Sequence, residues 1–536
     1  MNKKDLKRET LIRVAIIIGI IIVVNVISTK FFSRLDLTRN KSFTLSTVSK
    51  DMVKNLNDKL VVKAYISDNL PSPYNNLRRE IMDLLNDYKS YSNGNLTYEF
   101  FNPTGEGDTT LEKEAMKYNI PAVSLQSIEK DKAGYIKAYI GLAYLYKGKQ
   151  EVTQFFQPND NFEYEISTKI KKISTDQKTK IGILTGRGEY DISKMQTINK
   201  ILQENYAVTN LSVAKNIPIP DDIKELVIMA PKEPFTENEK YIIDQYIMKG
   251  GNVAWLINKV VPNVQQQMIV GDLVRTNLDD MLLNYGIKIN DDLVRDLSCA
   301  QILQPSQVEG FSVPIDNQYF PVITKIDNEI AAFNNLPSVV LPYVSSLDLN
   351  AAQGKDVVAK PLLTSSDKSG KDEGFFILNF DRFNNLPPKA KDTLFALKGL
   401  VVGATYSGKY KSFYTGKTPP GDTAKDASPL NFAPVNESTK ESKMLVIGDG
   451  DFMYEENRPP KENLMFFLDL VEYLADDVGL SQIRNKESSD AKMEVVSDST
   501  KKVFKYFNLI VPPLFVLLVG LYKWNKRKIR RKNLMV

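Results

Sequence analysis

Not one histidine occurs in the 536 residues, and there is a single cysteine, Cys299. Without imidazole there is no Ser-His-Asp triad, no Cys-His pair and no histidine general base. Cys₂His₂, Cys₄ and three-histidine zinc sites are excluded as well. One cysteine cannot close a disulfide within the chain. No P-loop motif stands anywhere, so the chain is not itself a P-loop ATPase. Any chemistry must run on carboxylates, lysine, tyrosine or hydroxyls.

What is present is a globular composition, 43% hydrophobic and 25% charged, over a length that calls for two or three domains. The formal net charge is +5, but residues 1–13 carry +3 and residues 523–536 carry +7, which leaves −5 between them. The basic excess sits on two short ends, which argues against a nucleic-acid partner. Each end adjoins an apolar run. Leu11–Phe32, with Arg13 snorkelling, gives roughly 33 Å of helix, enough for a bilayer core. Residues 504–522 form a second, shorter run, with Pro512 and Pro513 predicting a kink. A cleaved signal peptide ending near Ser28, or a buried core helix for the second run, are the plainer alternatives. Basic flanks stay cytoplasmic. The expectation is therefore a two-span protein of a bacterial inner membrane, with both termini cytoplasmic and a large periplasmic ectodomain.

The expected domains are a cytoplasmic tail (1–10), a first span (11–32), an ectodomain part (33–175), a second part (176–485), a linker (486–503), a second span (504–522) and a basic tail (523–536). In the first part, Leu60–Ser67 reads as a strand, Asn75–Tyr91 as a helix, Leu96–Phe101 as a strand and Leu111–Tyr118 as a helix. Pro121 and further strands at Val123–Ile128 and Tyr135–Tyr146 follow. The order β-α-β-α-Pro-β-β resembles a thioredoxin-like fold, with Pro121 where that family places a cis-proline. Leu70-Pro71-Ser72-Pro73 stands where Cys-x-x-Cys would be, so no thiol chemistry is expected. The second part alternates strands (Lys180–Thr185, Ala207–Leu211, Glu225–Ala230, Asn252–Ile257, Lys443–Ile447) with helices, which calls for a parallel sheet covered on both faces. Thr236 with Glu239 is a capping box. Residues of about 300–440 read as a β-rich insertion.

Eight pieces, in order, carry a family resemblance. They are Leu35-Asp36-Leu37-Thr38, Phe43-Thr44-Leu45-Ser46, Thr185-Gly186-Arg187-Gly188-Glu189, Ala230-Pro231-Lys232-Glu233-Pro234, Asp244 to Val253, Tyr285 to Val294, Val446 to Phe452, and Ile483-Arg484. The chain resembles the gliding-motility-associated auxiliary component of an ABC transporter, the GldG-type family. The resemblance implies a non-catalytic two-span subunit that binds a substrate or couples movement, working with a separate ATPase and permease. It also implies an α/β domain similar to one in an intraflagellar-transport protein and, in fold, to class I glutamine amidotransferases. Relatives often read Gly-His-Gly-Glu where Gly186-Arg187-Gly188-Glu189 stands here.

Two loops are candidate ligand sites. Gly186-x-Gly188, between a strand and a helix, could cradle an anion on backbone N–H groups, helped by Arg187 and with Glu189 beside it. Its plain reading is a sharp βα turn. Asp449 and Asp451 follow a buried strand as Asp-Gly-Asp, a pattern seen in phosphoryl-transfer enzymes and divalent-metal sites. Its plain reading is a tight turn capped by carboxylates. Cys299 reads as a small buried residue, and the paired acids Asp279-Asp280 and Asp291-Asp292 as solvated ends. No catalytic residue, metal or cofactor is expected. The expected partners are an ABC permease and ATPase, the lipid bilayer, and an envelope ligand or protein. A membrane-anchored glycan-binding module and a metal-dependent phosphohydrolase using Asp449 and Asp451 are the alternatives.

Overall fold

Leu60-Val61-Val62 and Ala64-Tyr65-Ile66 concentrate strand-forming residues around Lys63, and the strand they form, β1 (Leu60–Ile66), is the centre of the first sheet. The computed structural model describes residues 16, 17, 19, 44–104, 109–129, 132–158, 160–175, 177–265, 268–305, 312–327, 329–333, 336–379, 381–420, 433–475, 479–484 and 498–532. Residues 1–488 form one compact unit and 489–536 another.

The first described helix, α1 (Thr47–Lys54), starts where the Ser46 hydroxyl accepts the Ser49 amide. After β1 come α2 (Leu77–Tyr91), β2 (Leu96–Phe101), α3 (Thr109–Lys117), a hairpin of β3 (Val123–Glu129) and β4 (Lys132–Ala138), β5 (Ile140–Tyr146), β6 (Lys149–Thr153) and α4 (Phe162–Ser174). The sheet order is β2-β1-β5-β6, with β1 parallel to β2 and antiparallel to β5. A parallel pair needs a crossover, and α2 supplies it, burying Leu77, Ile81, Leu85 and Tyr88. The cis peptide lies at Ser72–Pro73, not at Pro121.

The second region holds β7 (Thr179–Leu184), α5 (Gln196–Asn205), β8 (Tyr206–Leu211), β9 (Ile223–Met229), α6 (Glu237–Met248) and β10 (Asn252–Leu256). It continues with β11 (Val260–Gln265), β12 (Met268–Leu273), α7 (Asp279–Asn284), β13 (Asp292–Asp296), β14 (Cys299–Pro305), β15 (Ser312–Ile323), β16 (Lys325–Ile326) and β17 (Val339–Val340). Then follow β18 (Val357–Thr364), β19 (Ser369–Glu373), β20 (Phe376–Ile377), α8 (Asp381–Asn384), α9 (Pro388–Leu394), β21 (Val401–Gly408), β22 (Ser442–Ile447), α10 (Lys461–Leu474) and α11 (Gly479–Arg484). Eight strands form one sheet in the order β16-β18-β21-β22-β10-β9-β7-β8. The run β8-β7-β9-β10-β22 is parallel throughout. The expected insertion is thus not wholly separate: β21 extends the sheet antiparallel to β22, and β18 follows antiparallel to β21.

The sheet is covered on both faces. Helices α5 and α10 pack on one apolar cluster, α6 and α7 on the other. The predicted capping box is present: Thr236 Oγ1 accepts the Glu239 amide, and Glu239 Oε2 accepts the Thr236 amide at 2.9 Å. Helix α6 is buried on every side, polar residues included, because residues 410–414 lie over it. Asp244 accepts bonds from Tyr285 Oη (2.6 Å), Ser412 Oγ (2.7 Å) and the Phe413 amide (2.8 Å). Lys240, fully buried, pairs with Glu237 and Asp280. The paired acids are therefore not merely solvated ends. Asp279 and Asp291 meet the buried Lys259 at 2.8 and 3.1 Å, and Asp292 is buried on Ser346.

Among the described residues no helix is long and apolar enough to cross a membrane. The two-span architecture is corrected on that finding. With it go the inner-membrane placement, the membrane and periplasmic-domain assignments, the cytoplasmic termini and the bilayer as partner. The second expected span lies in α12 (Asp498–Lys532). Its uncharged stretch between Lys505 and Lys523 is about 26 Å long at 1.5 Å per residue, short of the roughly 30 Å of hydrocarbon in a bilayer. Asn508, Pro512 and Pro513 interrupt its apolar character further. The first expected span lies outside the described residues, except for the helical positions Ile16, Ile17 and Gly19.

Glu225 on β9 is fully buried, and neither carboxylate oxygen has a hydrogen-bond partner. Burial alone drives its pKa well above the ordinary 4.5. The folded state therefore holds a proton that the unfolded chain releases above about pH 4.5. That stabilisation is complete at lower pH and is lost as pH rises toward the folded pKa. Glu225→Gln should unfold at higher temperature than wild type at pH 7, because the amide carries no charge to bury. The gap should close near pH 4. Thermal unfolding at both pH values measures it, and equal stability at pH 7 would refute it.

Candidate functional site

In an open parallel sheet, ligands bind outside the carboxyl ends of the strands, where the strand order reverses. Here the reversal falls between β7 and β9. The loops that leave them are residues 185–190, which hold the first candidate loop, and 230–234, another of the pieces that carry the family resemblance. The turn after β22 reaches the same edge, so both candidate loops are brought together there.

The gap between the loops is closed by main-chain bonds. The Lys232 and Glu233 amides donate to the Arg187 carbonyl at 2.8 and 3.0 Å, and the Tyr190 amide donates to Met229 at 3.2 Å. A Cβ on Gly188 would stand 3.0 Å from the Lys232 Cβ, and its φ of +78° is a left-handed conformation that glycine adopts freely. The expected anion cradle is filled by the chain itself: the Arg187 amide donates to Glu189 Oε2 at 2.5 Å. Burial pushes the Glu189 pKa up, against these backbone bonds. Its other oxygen, Oε1, is buried without a partner.

The Arg187 guanidinium does not face an open ligand position. It is 25% exposed and lies on Glu239, with Nε 2.9 Å from Oε2 and Nη2 2.7 Å from Oε1. Glu239 is the capping-box carboxylate of α6, so the β7 loop is tied to the start of the helix after β9. The hydrogen bond to Glu239 is the main reason the Arg187 pKa is raised.

Asp451 accepts the Tyr190 hydroxyl at 2.6 Å, which joins the β22 turn to the β7 loop. Tyr190 stacks on Tyr454 with ring centroids 4.1 Å apart, and Lys232 Nζ lies 5.0 Å from the Tyr190 ring centroid. Asp449 is fully buried; its Oδ1 accepts the Asp451 amide at 2.7 Å and its Oδ2 has no partner. Burial, then the Asp451 charge, drives its pKa well above the usual carboxylate range. Burial thus disfavours the charged form of Asp449, the form a nucleophile or a cation ligand requires. Gly450 donates to Asn258 at 2.6 Å, and a Cβ there would sit 2.7 Å from Ala230 N and Leu256 O. Ala230 itself has φ +50°, a strained value for a residue with a side chain. Among the described residues no group of three or more carboxylate or thiol ligands could hold a metal ion.

Tyr190, Asn258, Glu239 and Tyr454 were not among the expected site residues. Position was the available signal: Tyr190 and Asn258 each follow the carboxyl end of a parallel strand by a few residues. Cys299 is half-buried at the start of β14 rather than fully buried. Burial, then Asp316 and Asp296, pushes its thiol up to about 12, which disfavours the nucleophilic thiolate.

Because Arg187 serves the fold, Arg187→Ala should lower unfolding stability by about 1–3 kcal/mol, the cost of a charge-assisted bond to a partner left buried. Arg187→Lys should recover part of it, since one ammonium cannot reproduce the guanidinium fork. Thermal melts with and without inorganic phosphate decide the matter. A phosphate stabilisation that is present in wild type and absent in Arg187→Ala would restore the anion-cradle reading.

Residues 178–470 match the family described as an ABC-type uncharacterized transport system. Residues 39–144 match a domain of unknown function, DUF7088. An uncharacterized protein of Borreliella burgdorferi is 23% identical over 510 residues, covering 92% of this chain and 93% of the relative. A solved structure titled "mmIFT52 N-terminal domain" covers 55% of this chain and 97% of its own length, at 14% identity and a TM-score of 0.31, too low to carry an argument. The first of these matches takes in more than half of the sequence, and the chain belongs to this auxiliary family of ABC-type transport systems.

Proposed function

We propose that the chain is the non-catalytic auxiliary subunit of an ABC-type transport complex of the gliding-motility type, coupled to a separate ATPase and a permease. Family membership implies association with transporter components. The observation that supports a coupling role is the filled switch point. The edge where an enzyme or binding protein of this architecture would hold its ligand is occupied by Glu189, Arg187 and the Asp449–Asp451 turn. A surface stitched together in this way transmits position between loops better than it admits a small molecule. The absence of a P-loop and of histidine leaves ATP hydrolysis to another subunit.

Tagged full-length chain, purified from its own cells under mild conditions, should bring down an ABC ATPase and a permease in fixed ratio. Recovery of neither would sink the proposal. The phosphohydrolase alternative has a separate check. Asp449→Asn should leave assembly intact and should raise thermal stability at pH 7, because it replaces an acid whose charged form burial disfavours. Phosphatase activity lost on this substitution would revive the alternative.

A further inference from the structure

Ile483 and Arg484 end the ordered set of matching pieces, yet neither lies at the carboxyl edge. They sit in α11, a short helix that follows α10. Helix α11 packs against α10 and the turn Ala331–Phe333 of the eight-stranded region, and also against α1 and α4 of the first region. Leu480 and Ile483 are fully buried in this junction.

Arg484 is the charged centre of the junction, with its side chain 9% exposed. Its Nη2 meets Asp469 and, at 3.0 Å, Glu472, both on α10. Its Nη1 donates to the Tyr164 hydroxyl on α4 at 3.3 Å, and the guanidinium lies 5.5 Å from the Tyr164 ring centroid. Asn161, the N-cap of α4, donates to the Ile483 carbonyl at 2.8 Å. One guanidinium therefore ties helices that belong to two different sheets. Asp469 and Glu472 are 0% and 3% exposed, so without this cation two like charges would be buried together. Lysine could not replace it, because the contacts diverge in two directions and need the planar fork.

We propose that α11 is a latch between the two sheet regions, and that the Arg484 guanidinium sets their relative position. The inference does not depend on which transport partners the protein has.

The test is an inter-region distance in the full-length protein. Spin labels go on cysteines placed at exposed Lys147, in the β5–β6 turn, and exposed Lys409, after β21, with Cys299→Ser as background. Wild type should give one narrow distance distribution, and Arg484→Met should at least double its width. An unchanged width in a folded Arg484→Met protein overturns the latch. If that variant does not fold, the triple variant Asp469→Asn, Glu472→Gln, Arg484→Met removes all the buried charge and is read in the same way. Broadening supports the latch, and a distribution as narrow as wild type overturns it.

Discussion

Parallel pairing of β10 with both β9 and β22 is the constraint on which the second region depends. Strands β9 and β10 are joined by one helix, whereas β22 returns after a long excursion. Everything between Ile257 and Glu441 must leave the carboxyl edge of the sheet and come back at its amino edge. The excursion meets this demand partly by building its own small sheets and partly by adding β18 and β21 beside β22. Once β22 is in place, the Gly448–Asp451 turn is forced against the ends of β9 and β10. Only glycine fits at 448 and 450, because a Cβ would collide with Ser345, Ala230 or Leu256.

That crowding explains the chemistry of the edge. A fold of this kind usually leaves a crevice at its switch point. Here the chain's own groups meet at that edge: a carboxylate on a backbone amide, a guanidinium on a capping-box glutamate, and a tyrosine hydroxyl on an aspartate. The same crowding removes Asp449 from water and raises its pKa. The result is a joint between three strand ends, in a chain that belongs to an auxiliary family of ABC-type transport systems.

Much of this was legible locally. The capping box at Thr236 and Glu239 follows from spacing alone, because its bonds are made within four residues. The parallel strands of the second region were visible as short apolar runs between helices. What was misread depended on partners distant in sequence. Asp279 and Asp291 look like solvated ends until β10 delivers Lys259 between them. Local pattern likewise gave no sign of the Glu239 that α6 brings against Arg187. The apolar run at 504–522 looked like a span. Its uncharged length falls short, and hydropathy patterning is a weak guide where charges crowd both ends.

Composition by itself determined which chemistries are closed: no imidazole, no thiol pair and no P-loop can be supplied by any folding of this chain. Local pattern determined most strands, most helices and the alternation that requires a covered parallel sheet, since each depends on neighbours within a few residues. Only the tertiary structure decided what the marked residues do. Burial, which no local pattern reports, raised the pKa values of Asp449 and Glu225 and made Arg484 the tie between two sheets. Long-range approach, set by strand order, turned two candidate ligand loops into one closed joint.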